Sequence, residues 1–135
     1  MFERSFKILG SILPAFFNHR RLRVLVHRGY FGSDEECFFV NLTNLSSTHH
    51  LEVTDVWFQG DCQVSVLQPL RPLPVRLEPQ QSWETWIPVA DVPPIVLPEA
   101  LTLARVRLSN GAVVRSKPNI DVPNYGTYFS SLRAT

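Results

Sequence analysis

The sequence predicts an all-β protein, an antiparallel sandwich of about seven to eight short strands. Three observations predict it. From Arg21 onward, apolar and polar residues alternate with a period of two, the repeat that turns one face of a strand toward a core. Residues that favour turns bound each alternating run. Apolar residues make up 44% of the 135-residue chain and charged residues 19%, and nine Phe with three Trp supply the bulk for one core.

The runs follow in order. Leu22, Val24 and Val26 alternate with Arg21, Arg23 and Leu25, and Gly32-Ser33-Asp34 forms the next turn. Glu36 to Thr43 places Phe38, Val40 and Leu42 on one face and Phe39, Asn41 and Thr43 on the other, before a turn over Asn44 to Thr48. In the third run Leu51, Val53, Asp55 and Trp57 share a face, and the run stops at Gly60-Asp61. Shorter runs cover Gln63 to Leu67, Val75 to Leu77 and Ser82 to Val89, the last with Trp83, Thr85 and Ile87 opposite Glu84 and Trp86. Leu101 to Leu108 and Ala112 to Ser116 complete the set, joined by Ser109-Asn110-Gly111. Asn-Gly between alternating runs predicts a two-residue type I′ hairpin with both residues at positive φ. Leu108 then opposes Val113 and Val106 opposes Arg115. The core face is expected to be Ala104, Val106, Leu108 and Val113, and the outer face basic.

Over residues 20–117 this pattern, with Trp57 as a strand-borne core tryptophan, resembles immunoglobulin or fibronectin type III-like domains. The resemblance implies an immunoglobulin-like sandwich and no particular activity. The stretch from Cys37 through Trp57 to Trp86 is also similar to small uncharacterised bacterial proteins, which implies no function. The chain departs from the immunoglobulin pattern in its cysteines. That family's bridge joins the second strand to the sixth, whereas Cys37 falls in the second run and Cys62 near the start of the fourth. Two free thiols and a reducing, cytoplasmic setting are therefore expected.

Residues 1–19 form an N-terminal amphipathic segment. Phe2, Phe6, Leu9, Leu13 and Phe16 recur at helical spacing, widened by Ile8 and Ile12, and Pro14 ends or kinks a short helix near Ile12. Such a stripe either packs on its own domain or docks on a membrane surface or a partner protein. It also has the outline of a signal peptide, but Glu3, Pro14 and the lack of a small-x-small cleavage site argue against that, and the apolar run is too short to span a bilayer. Residues 118–135, with Tyr125, Tyr128 and Phe129, read as an extended C-terminal tail.

No catalytic signature emerges. The serines lack a Gly-x-Ser-x-Gly elbow, and the adjacent Glu35 and Glu36 face opposite ways in a strand. Asp55 falls on the apolar face with Val53 and Trp57, which would bury it, but it is expected instead to lie at a sheet end and bond a backbone group. Cys37, Cys62, His49 and His50 lack the close pairing of a zinc site, and Gly29-Tyr30-Phe31-Gly32 lacks the spacing of a phosphate loop. No cofactor is expected. A net charge of +1 points away from a strongly electrostatic partner such as nucleic acid. Two arginine clusters nonetheless stand out, Arg20, Arg21, Arg23 and Arg28, then Arg105, Arg107, Arg115 and Lys117; a basic face is expected to gather Arg21, Arg23, Arg105 and Arg107. Pro69 to Pro74 resembles a polyproline ligand, although prolines also protect an edge strand. Asn41-Leu42-Thr43 and Asn44-Leu45-Ser46 match the glycosylation acceptor pattern. The expectation is a non-enzymatic protein-binding or assembly module, docking through Phe2, Phe6, Leu9, Leu13 and Phe16. The alternative is a nucleic-acid-associated accessory protein that uses its arginines.

Overall fold

The computed structural model describes residues 21–32, 34–94 and 99–117. The chain is all-β over these residues, with antiparallel sheets and almost no helix. The strands are β1 (Leu22–Phe31), β2 (Glu35–Asn44), β3 (Leu51–Gln59), β4 (Gln63–Ser65), β5 (Val75–Leu77), β6 (Ser82–Pro88), β7 (Ala104–Leu108) and β8 (Val113–Arg115). A single 3₁₀ turn (Val89–Asp91) follows β6, and a one-turn helix, α1 (Ala100–Leu103), precedes β7. No helix among the described residues is long and apolar enough to cross a membrane.

One sheet has the order β1-β2-β6. The other has β3 beside β7, β7 beside β8, and β4 and β5 each paired to β3. The two sheets share one core, in which Val24, Val26, Phe38, Val40, Leu42 and Ile87 meet Val53, Val56, Phe58, Leu77, Val106 and Leu108. These are the in-facing members of each alternation, as the period of two requires. The segments 1–19 and 118–135, with the helix and tail expected there, lie outside the described residues.

Two local registers differ from the sequence reading, and each has a physical cause. The pairing of β3 with β7 shifts between Val53 and Asp55, which marks a β-bulge at Thr54. The extra residue inverts the phase of the strand beyond it. Val56 and Phe58 then enter the core, while Asp55 and Trp57 move to the outer face. Asp55 is exposed there, within β3 rather than at a sheet end, and the core role expected of Trp57 is corrected.

The β7–β8 hairpin is the second case. Of Asn110 and Gly111 only Gly111 has positive φ, at 90°. Gly111 N–H donates to Leu108 O at 2.9 Å and Leu108 N–H to Ala112 O at 2.9 Å, which makes Ser109-Asn110-Gly111 a three-residue loop. Asn110 Oδ1 accepts from Ala112 N–H at 2.9 Å and holds the turn without needing positive φ at its own position. The register therefore slips by one: Val106 opposes Val114 and Arg107 opposes Val113. Val114, not Val113, reaches the core.

Asn44 joins the two sheets. It is fully buried at the end of β2, and its Nδ2 donates to His49 O at 2.8 Å, Leu77 O at 3.1 Å and Glu78 O at 3.2 Å. Its Oδ1 accepts from Ser46 N–H at 3.0 Å. An amide nitrogen occupied in this way is closed to a glycan in the folded chain. Asn41 is half-buried within β2.

Candidate protein-docking surface

Each sheet has an outer face, and the two differ in kind. On the three-stranded sheet, the residues between the core-facing ones are Leu25, His27, Gly29 and Phe31 on β1, Cys37, Phe39 and Asn41 on β2, and Glu84 and Trp86 on β6. Three of these form one cross-strand row, His27 opposite Phe39 and Phe39 opposite Trp86. The His27 imidazole stacks on Phe39 with centroids 5.1 Å apart and planes at 11°, and Phe39 lies 6.3 Å from Trp86. Cys37, Phe39 and Trp86 form a second apolar cluster, separate from the main core. His27 Nε2 is 3.3 Å from Glu84 Oε2. The Cys37 thiol points to Glu35, 3.9 Å from its carbonyl and 3.7 Å from its carboxylate. The partners of His27 thus include an aromatic ring and a carboxylate, and those of Cys37 include acceptors from its own strand.

One corner of this face is open. Phe31 comes from the end of β1 and stacks on Trp86 at 4.9 Å with planes at 18°, yet it is 44% exposed, as is its neighbour Tyr30. Across the sheet, the β4–β5 connection brings Arg71 over the Trp86 ring at 5.1 Å. Its guanidinium is fixed there by donating to Glu84 O at 3.0 Å and Leu70 O at 3.0 Å. Leu70 and Leu67 beside it are 63% and 82% exposed. Val66, Leu67, Pro69, Arg71, Pro72 and Leu73 line a shallow groove of about 260 Å³ beneath this connection. The prolines explain the exposure: they fix φ and remove donors, so this stretch does not join a sheet, and Leu67 and Leu70 stay outside the core while Leu73 packs against it.

The outer face of the five-stranded sheet is basic. Arg105 lies directly opposite Arg115, and Arg107 pairs with Asp55 at 3.6 Å and lies 5.0 Å over the Trp57 ring. Trp57 Nε1 donates to Gln59 Oε1 at 2.9 Å. Arg105 donates to Thr102 O and Ala104 O, and its pKa is lowered, first by burial and then by the charge of Arg115.

The residues singled out in the sequence distribute as follows. Arg21 immediately precedes β1 and Arg23 lies near its start, where it donates to Thr43 Oγ1 at 3.5 Å. Arg105 and Arg107 stand on β7 of the other sheet. Arg23 alternates with core residues of one sheet and the β7 arginines with core residues of the other, so Arg23 faces the opposite side of the shared core from Arg105 and Arg107. Phe2, Phe6, Leu9, Leu13 and Phe16 lie outside the described residues. Cys37 is buried and Cys62 exposed, both as free thiols. No group of three His, Cys, Asp or Glu that could hold a metal ion occurs among the described residues.

The Phe31–Trp86–Arg71 corner was missed in the sequence because its members are far apart along the chain. Its one local signal is Pro69 to Pro74, a proline-rich stretch that carries Leu70 outside any strand. Comparison with protein-family models, curated proteins and solved structures finds no match.

Proposed function

We propose that this chain is a non-enzymatic protein-binding or assembly module built on an immunoglobulin-like sandwich, and that its partner docks on the Phe31–Trp86–Arg71 corner. The strand order supports the fold reading: the second strand lies between the first and sixth, and the third lies beside the seventh. One observation carries the functional reading. Stacked aromatic rings, a guanidinium held over one of them, and protruding Leu67 and Leu70 together form an exposed apolar patch, with Trp and Arg of the kind that dominate protein interfaces. The Arg71 guanidinium is already held by its two hydrogen bonds, so little of its ordering entropy is lost on binding.

The test is affinity capture from nuclease-treated lysate, with the wild-type full chain beside a Phe31→Ser/Leu70→Ser variant. A protein retained by the wild type through moderate salt, and lost with the variant, is the expected result. Equal retention by both chains would overturn the reading.

A second reading rests on Arg105 and Arg115, directly opposed like charges that would be relieved by a phosphate or other polyanion. It predicts association with nucleic acid that falls steeply as salt rises. The same capture, run without nuclease and over a salt series, separates the two.

A further inference from the structure

We infer that the outer face of the three-stranded sheet is covered by the apolar stripe of this same chain, Phe2, Phe6, Leu9, Leu13 and Phe16. The starting observation is burial where two stacked sheets would leave water. Leu25 and His27 lie on the outer side of β1, an edge strand, yet are only 8% and 3% exposed, and Phe39 beside them is 0% exposed. Stacking on one another shields the sides of these rings but not their outward surface. Among the described residues, no strand or helix is layered on this face. Its composition fits an apolar cover. Leu25, Gly29, Cys37, Phe39 and Trp86 offer no charge, and Glu84 is held by His27.

The N-terminal segment has the composition and the reach to be that cover. It enters β1 at Arg21, whose carbonyl accepts from Leu45 N–H, at the Asn44 end of the sheet. His27 lies about 20 Å further along β1, at roughly 3.3 Å per residue. Twelve residues at helical rise span about 18 Å, and the eight that follow can reverse direction and add to that. The stripe presents five large apolar side chains on one side, with a ten-residue uncharged run from Ile8 to Phe17. Residues 118–135 begin beside β1 as well, where Lys117 N–H donates to Val24 O at 3.3 Å. They are interrupted by Pro118, Pro123 and Gly126, and their uncharged run, Val122 to Leu132, holds three aliphatic or phenyl side chains (Val122, Phe129 and Leu132) against six in Ile8 to Phe17. The inference stands apart from the docking corner: the stripe closes the Leu25–His27–Phe39 part of the face and leaves Phe31 and Arg71 open.

Cys37 reports on the cover, because it is buried on this face while Cys62 is exposed. The full chain is treated with a thiol reagent and the labelled cysteines are identified by peptide mass. Cys62 should label quickly and Cys37 slowly. Leu9→Asp/Leu13→Asp should raise the Cys37 rate at least tenfold, with the Cys62 rate and a cooperative thermal transition retained. An unchanged Cys37 rate overturns the inference, and so does exposure of Cys37 by deleting 118–135 alone.

A second measurement guards against a variant that unfolds. In a Cys62→Ser chain, cysteine is introduced singly at Phe2, Phe6, Leu9 or Leu13, and at Lys7 or Ser11 on the opposite side of the stripe. Under mild oxidation, at least one stripe position should form a disulfide with Cys37 within a monomer, and neither control should. Links only between chains would assign the cover to a second copy, and no link from any stripe position would reject the cover outright.

Discussion

The outer face of the three-stranded sheet and that of the five-stranded sheet solve the same problem in opposite ways. Both carry a tryptophan between strands. On the three-stranded sheet Trp86 joins Phe39 and His27 in a buried aromatic row. On the five-stranded sheet Trp57 lies beneath the Arg107 guanidinium, 5.0 Å over its ring. The first face needs another apolar layer to keep it dry. The second carries its own cover and remains in water. An indole on an outer face is therefore no sign of an interface until its cover is known.

The contrast can be broken most directly at Phe39. If the aromatic row is a second core, Phe39→Ala should cost about 3–5 kcal/mol in urea or guanidinium unfolding. A loss below about 1 kcal/mol, the scale of surface substitutions, would return that face to solvent. The basic face depends on the hairpin that sets its register. Gly111→Val should cost about 1–3 kcal/mol, because a β-branched residue resists φ of 90° although nothing lies within 4 Å of the added Cβ. An unchanged melting temperature would show that the loop adopts another turn. Arg107→Ala should cost only about 0.5–1 kcal/mol, through the ring contact and a half-exposed ion pair, and raising the salt should shrink the difference. Arg115→Glu has the smallest expected effect, a stabilisation of about 0.2–1 kcal/mol as a like-charged cross-strand pair becomes an opposite one. Destabilisation there would mean that Arg115 has a favourable role its position does not reveal.

Much of this architecture is legible in the sequence, because burial and strand period act locally. The alternation over Leu22 to Val26, Phe38 to Leu42 and Ala104 to Leu108 identifies strands and the side chains that enter the core. It fails where one residue changes the phase. Thr54 has no mark of a bulge, so Asp55 and Trp57 read as inward when they point outward. Asn110-Gly111 identifies the hairpin but not whether the loop has two residues or three. The aromatic face is hidden for another reason. On β2 both Phe38 and Phe39 are apolar, and a period of two says that they face opposite ways without saying which side is covered. The docking corner joins Phe31, Arg71 and Trp86 through pairings that only the folded sheet brings about.

Asn44 bears on how the chain reaches this state. Its amide spans the end of β2 to the carbonyls of Leu77 and Glu78, 33 and 34 residues away. Neither sheet alone can satisfy it. A folding intermediate with only the β1–β2 ribbon formed would leave that amide to water, and one that buried it early would carry unmet donors. The bonds thus form only when both sheets are in place, late on the route and early to break on the way out. Asn44→Ala should accordingly speed unfolding far more than it slows folding, which places this amide among the interactions that set the lifetime of the folded chain.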